Sequence, residues 1–311
     1  MSATAPRPRV ICVGHAAFDR VFAVDSWPAG SGKIPAHRFD ESGGGMAGNA
    51  AVAIARLGGE AVFWGPTGAD AIAAAIHAEF VAEGVDASYL RRFSDRSSSH
   101  SAVIVDGRGE RLVVGFRGSA LQAPADWLPL DQIGRAGSLL ADVLWPEGAE
   151  LALHAAREAG IPAILDAEIA PVDILETLAR AADHIVFSQR GLDTYAGDDC
   201  ESGLRRVLAN GARVAAVTQG DAGVLWIESV APREVRRCPA FPVDAVDTLA
   251  AGDVFHGAYA LALAQGQAVI DAIRFAAAAA AIKCSRHGGR SGAPSRLEVD
   301  ALLGWPGVSR G

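Results

Sequence analysis

The chain is short of several things, and each shortage excludes a class of protein. Cysteine occurs only as Cys12, Cys200, Cys238 and Cys284, widely separated and without a CxxC pair. That spacing excludes a disulfide scaffold and reads as reduced, mostly buried thiols of a cytoplasmic protein. Positive charge is in deficit, with 28 Lys and Arg against 36 Asp and Glu and a net charge of −8. A nucleic-acid or anionic-membrane surface is not expected from such a balance, although backbone N–H groups can still bind a phosphate locally. Long apolar runs are missing too. The alanine-rich run 276–281 is too short, and too closely flanked by Arg274 and Lys283, to span a bilayer. Residues 1–8 lack the apolar core of a signal peptide. The eight histidines show no HExxH spacing and no G-x-S-x-G elbow occurs, so neither zinc-protease nor esterase chemistry is indicated.

What is present is a chain of 311 residues, half of them hydrophobic and rich in glycine, long enough for one large or two ordinary domains. Short apolar runs alternate with helical stretches. Strands are expected at 9–14, 61–65, 139–144, 162–165, 184–187, 214–218 and 224–227. Helices are expected at 50–57, 69–83, 147–159 and 174–182. This is the pattern of a doubly wound α/β domain with right-handed crossovers. Two features depart from it. Residues 21–25 read as a short extra strand closed by Trp27-Pro28-Ala29-Gly30, and 101–105 with 111–115 flank a Gly-rich hairpin turn at Asp106 to Glu110. Together they suggest a small antiparallel flap beside the main sheet.

One stretch concentrates the chemistry: Asp247-Thr248-Leu249-Ala250-Ala251-Gly252-Asp253, followed by an apolar helix. A helix start exposes N–H groups and partial positive charge, and Ala250, Ala251 and Gly252 have no bulk to keep an anion away from them. Asp253 adds a proton acceptor at the same place. Taken locally, the same residues also describe an ordinary helix start with a dipole-favoured Asp.

Three other segments stay open on local grounds. Asp19 is placed in a loop beyond the first strand, where open α/β sheets hold ligands, or is a turn residue. Gly43-Gly44-Gly45-Met46-Ala47-Gly48 matches G-x-G-x-x-G, but the polar segment before it argues against a dinucleotide fold. Its glycines let backbone approach a small polar ligand, and Asn49 is either a contact to that ligand or an N-cap. Thr218 with Gly220 and Gly223 forms a strand–turn–strand that can admit a phosphorylated ligand or be a plain hairpin. Gly30-Ser31-Gly32-Lys33-Ile34 fails as a Walker A loop, because Trp27 stands where its first glycine belongs.

In this order the segments resemble the PfkB/ribokinase family of sugar and nucleoside kinases. Gly44-Gly45-Met46-Ala47-Gly48-Asn49-Ala50-Ala51, continued through Gly58 and Gly68, carries the first signature. The Asp247–Asp253 stretch with Gly257-Ala258 carries the second. The resemblance implies a ribokinase-like, doubly wound, mostly parallel sheet with a small antiparallel β lid, in one kinase domain over 1–311 with lid segments near 19–41 and 97–118. It implies transfer of the γ-phosphoryl group of ATP, with Mg²⁺ and in some members a monovalent cation near Asp247, to a small ketose or furanose. Asp253 would be the base and Ala250, Ala251 and Gly252 the anion hole. Asp19, Lys33, Gly43, Gly44, Gly45 and Asn49 would hold the sugar. Thr218, Gly220, Gly223 and Gly252 would line the ATP site, with the loop 288–292 flanking the adenine. A homodimer through the lid is implied as well.

Where many members carry N-x-x-E for magnesium and phosphate, this chain has Ser188-Gln189-Arg190-Gly191. Several segments are closest to a sulfofructose-kinase branch. Gly115 and Leu144 stand where that branch needs polar or basic groups, leaving only Lys33 for a sulfonate and favouring a neutral sugar. A nucleoside kinase, with Phe116, Trp127 or Trp145 against the base, and a non-catalytic sugar or nucleotide sensor are the alternatives.

Overall fold

Runs such as Arg9–Val13 and Ser138–Asp142 are apolar on both alternating faces, which suits strands covered from two sides. The computed structural model, which describes residues 7–26, 30–108, 110–197 and 199–305, places them in the middle of a nine-stranded sheet. The first elements are β1 (Arg9–Val13), β2 (Ala17–Ala23), β3 (Arg38–Gly44), α1 (Met46–Arg56), β4 (Glu60–Gly68), α2 (Ala71–Ala82), β5 (Asp86–Phe93), β6 (Ser99–Val105) and β7 (Arg111–Phe116). There follow β8 (Ser138–Asp142), α3 (Pro146–Glu158), β9 (Ala163–Ala167), α4 (Val172–Ala181), β10 (His184–Ser188), α5 (Gln189–Ala196), α6 (Cys200–Ala209) and β11 (Val214–Thr218). The chain closes with β12 (Val224–Glu228), β13 (Arg236–Cys238), α7 (Ala251–Ala264), α8 (Val269–Cys284) and α9 (Arg296–Leu303).

The large sheet has the order β13-β12-β11-β10-β9-β8-β1-β4-β5, parallel except for β12 and β13 at one edge. From β1 the chain winds outward through β4 and β5, then returns to β8 and winds the other way. Neighbours β1 and β8 therefore mark a topological switch point, where a crevice opens at the carboxyl ends. Side-chain alternation along β1 divides the interior: Val10 and Cys12 join α1, α2, α7 and α8 on one face, while Ile11 and Val13 join α3 to α6 on the other.

A separate sheet has the order β3-β2-β6-β7; two of its ladders are antiparallel, and β2 runs parallel to β6. The expected flap is thus present but larger than expected. β2 begins at Ala17 rather than at residue 21, so Asp19 is a strand residue, not a loop residue. The polar segment before the glycines is β3, an edge strand exposed over Arg38 to Glu41. The turn at Trp27 to Ala29, and Gly109 of the hairpin turn, lie outside the described residues. Among the described residues no helix is long and apolar enough to cross a membrane.

Candidate active site

The site is built on the start of α7, and contacts along that helix fix where its start lies. Ser138 Oγ donates to Ala260 O at 2.8 Å, and His184 Nδ1 lies 2.8 Å from Tyr259 Oη. Both partners begin their strands. Three residues before Tyr259 on α7, His256 Nε2 lies 3.2 Å from Val186 O, further along β10. The helix therefore runs opposite to the strands and delivers its N-terminus to their carboxyl ends. Gly257 makes this possible, because a Cβ there would stand 2.6 Å from Ala50 O of α1.

Ala250 caps α7 at φ 62°, the one non-glycine residue in the left-handed region among the described residues. Such strain collects at functional sites. The N–H of Ala251 returns to Thr248 O at 3.2 Å, whereas the next two amides, of Gly252 and Asp253, have no backbone acceptor among the described residues. Nothing lies within 4 Å of where a Gly252 Cβ would be, so this helix start is open. These are the properties of an anion site.

Asp253 is partly exposed beside it, and Asn49 Nδ2 donates to its Oδ2 at 2.6 Å. Asn49 is therefore not an N-cap; Gly45, at φ 88°, occupies that position and α1 carries Asn49 inward. Burial pushes the Asp253 carboxyl up to about 7; the Asp166 and Asp142 carboxylates act in the same sense, against Asn49 and His256. A carboxylate with that value is poised as a base at neutral pH.

Behind Asp253 stand acids that sequence reasoning did not assign to the site. Asp142, at the end of β8, accepts backbone N–H bonds from His15 (2.7 Å), Ala47 (3.0 Å) and Leu144 (2.9 Å). It thereby ties the turn after β1 to the start of α1, across the switch point. Asp166 stands beside Asp142 in the next strand, 3.4 Å from His256 Nδ1, while that nitrogen also lies 2.7 Å from Gly252 O. Burial, with Asp142 and Glu168 nearby, pushes Asp166 well above the usual carboxylate range. Glu168 accepts from Ser188 Oγ at 2.8 Å, so a carboxylate meets the segment that lacks the N-x-x-E pair at its first position. The available signal was Asp166-Ala167-Glu168 at a strand's carboxyl end, where α/β sheets place ligands.

On the other side of Asp253 lie the glycines. Asp19 accepts from Ser101 Oγ at 2.5 Å, and a Cβ on Gly44 would come within 2.3 Å of Asp19 Oδ2. Burial raises the Asp19 pKa, against its bond from Ser101 and the charge of Arg290. Arg290 is itself buried, donates to Gly44 O at 2.7 Å, and would collide with any side chain at Gly43. The loop 288–292 thus supports the glycine turn. Asp19, Gly43, Gly44, Gly45, Asn49 and Asp253 are brought together; Lys33 is not. It is exposed in the β2–β3 connection, at the Ala23–Arg38 end of a ladder whose other end is Ala17–Gly44, about 20 Å away by strand rise.

Thr218 ends β11 directly opposite Ser188, with Gly220 and Gly223 in the turn beyond. Gly223 has φ 89° and lies so close to Cys238 O that only glycine fits. The aromatic residues expected against a nucleoside base are elsewhere. Trp127 and Trp145 stack on one another at 5.6 Å, and Phe116 packs on His100 on the small sheet.

No group of three or more His, Cys, Asp or Glu among the described residues forms a metal cage. Nucleotide-bound Mg²⁺ needs only one or two carboxylates beside phosphates and water, and Asp166 with Glu168 meets that requirement.

An open helix start, a carboxyl group poised near 7 beside it, and a glycine-lined polar turn across from both define a phosphotransferase acting on a hydroxyl. Residues 7–296 match the model of the pfkB family carbohydrate kinases, and the chain belongs to that family as an ATP-dependent sugar kinase. A ribokinase of Bacillus subtilis (strain 168) is 32% identical over 299 residues, covering 95% of this chain and 99% of its own. The crystal structure of a candidate ribokinase from Agrobacterium tumefaciens superposes with a TM-score of 0.91 at 40% identity, covering 97% and 99%. Arabidopsis thaliana ribokinase complexed with ribose and ATP superposes with a TM-score of 0.84 at 25% identity, covering 97% and 100%.

Proposed function

We propose that this kinase phosphorylates a hydroxyl of a small neutral sugar bound as a furanose, a pentose or a ketose, with Asp253 as general base. The observation that carries this reading is the 2.6 Å bond from Asn49 to Asp253. It joins the sugar-side glycine turn to the phosphoryl-side helix start. Asp19, the amides of Gly43 to Gly45 and Asn49 hold the sugar. The Asn49 Oδ1 atom, buried without a partner, supports a hydroxyl donor there. Asp253 takes the proton of the attacking oxygen. The Gly252 and Asp253 amides receive the γ-phosphoryl charge, with Ala250 and Ala251 small enough to let it approach. Thr218, Gly220 and Gly223 line the nucleotide. Bound Mg²⁺, held through phosphates, water, Asp166 and Glu168, would offset charge on the transferring group.

The position of Lys33, with Gly115 and Leu144, favours a neutral sugar over a sulfonated one. The displaced aromatics favour a sugar over a nucleoside. Turnover of ATP with a panel of ribose, fructose, sulfofructose and nucleosides tests this: ribose or fructose is expected to support the highest kcat/KM. Preference for sulfofructose or a nucleoside would overturn it, and tight binding without turnover would mean a sensor.

The small sheet is the lid. Asp19, Ser42 and Ser101 share one face with Val21, Val103 and Val113, and the opposite face carries Phe22, Phe39, Ile104, Leu112, Val114 and Phe116 beside Arg20 and Glu41. Phe39, Leu112, Val114 and Phe116 are about half exposed, and β7 is an edge strand, which suits a second copy of this chain. Val114→Asp is expected to convert a dimer into a monomer by light scattering; a wild-type monomer would contradict the assignment. The reduced thiols, none of them paired, accord with a cytoplasmic setting.

A further inference from the structure

The turn that carries the anion site hangs on a buried lysine. Lys283, at the end of α8, is 0% exposed. Its Nζ donates to Asp247 O at 2.8 Å and to Arg286 O at 3.1 Å, and lies 3.8 Å from Asp247 Oδ1. Asp247 in turn accepts from Leu249 N at 2.8 Å and from Gly288 N at 2.9 Å. The amides of Val246 and Asp247 both donate to Cys284 O, at 2.8 and 3.1 Å. Two loops, one leading into Ala250 to Asp253 and one following α8, are therefore closed around a single positive charge. The lysine stem is fitted to this place, since a Cβ on Gly292 would stand 2.9 Å from Lys283 Cδ.

Carbonyl oxygens and a carboxylate converging on a buried point are the ligands of a hard monovalent cation. Here the point is taken. A second cation about 4 Å from the ammonium would lose about a thousandfold in affinity at an effective dielectric near 20. The surroundings of Asp247 therefore do not fit a free monovalent ion.

We infer that Lys283 is a tethered cation that positions the anion-site turn, so that this kinase works without potassium or sodium. Lys283, wholly buried, acts by holding Asp247 and, through it, the turn that ends in the strained Ala250. The activity arm of the test rests on the proposed kinase function, and the melting arm does not.

The experiment compares wild type in about 0.1 M potassium, sodium or choline chloride, with ATP supplied as the Tris magnesium salt. Expected are equal melting temperatures and turnover within about twofold across the three salts. A potassium-specific rise in melting temperature, or activation of about tenfold over choline, would overturn the inference. Lys283→Met is expected to lose about 10²-fold in kcat, with the sugar KM little changed, because the displaced amides act on the transition state. Potassium or ammonium should restore part of that loss. Wild-type turnover in Lys283→Met would also overturn the inference. Should that variant fail to fold, the wild-type melting series still decides. If no sugar supports turnover while melting is indifferent to potassium, the kinase reading fails and the tethered cation stands.

Discussion

Replacing Asp253 by Asn is expected to lower sugar-dependent turnover by roughly 10²–10⁴-fold while leaving fold and sugar binding in place, the usual range for loss of a general base. Asparagine keeps an oxygen for Asn49 Nδ2 but accepts no proton. The same carboxyl sets the pH dependence. Its folded pKa is raised to about 7, so wild-type kcat/KM should rise with pH through that value, and the acidic limb should vanish from the residual activity of the variant. Stability carries the opposite sign. A group whose folded pKa is raised stabilises the fold in acid, and that contribution is lost as pH rises through the folded value. Asp253→Asn, which cannot ionise, should therefore melt higher than wild type at about pH 8. Wild-type turnover in the variant would remove Asp253 from its role.

The largest stability effect is expected at Asp142. Its carboxylate receives the amides of His15, Ala47 and Leu144, all at or near the switch point. Asp142→Ala leaves these donors without their acceptor, at about 1–3 kcal/mol each, so a total loss of about 4 kcal/mol or more is expected. Asp142→Asn, which retains one acceptor oxygen, should lose less. Urea denaturation measures both; a loss below about 1 kcal/mol for the alanine variant would show that the carboxylate does not organise the turn. Sugar affinity should weaken as well, because Ala47 lies two residues past Gly45 of the glycine turn.

The sequence displays the helix start with its small residues and acid, and the central strands, because local pattern determines both. Locally, Asp253, Asn49 and the glycines read equally as a helix start, an N-cap and a turn, and only their order along the chain, through the family resemblance, pointed to a site. Asp19 was expected in a loop rather than a strand, since Ala17–Ala23 has a burial pattern set by partners on both sides, β3 and β6. β5 escaped because its Asp, Ser and Arg residues give an edge strand with one wet face and no apolar run. Asp142, Arg290 and Lys283 were not legible as parts of the site. Their partners are 95, 246 and 36 residues away in the chain, and a buried charge shows its role only through what it meets. Lys33 was expected at the sugar only from the resemblance, and the fold leaves it exposed at the far end of the small sheet.

A structure of the ternary complex with ribose or fructose and a non-hydrolysable ATP analogue tests the central claim most directly. The account predicts one sugar hydroxyl within about 2.6–3.2 Å of an Asp253 carboxylate oxygen, and γ-phosphate oxygens facing the amides of Gly252 and Asp253. A complex in which the γ-phosphate lies away from the α7 start, or in which another group approaches the reacting hydroxyl, would contradict it.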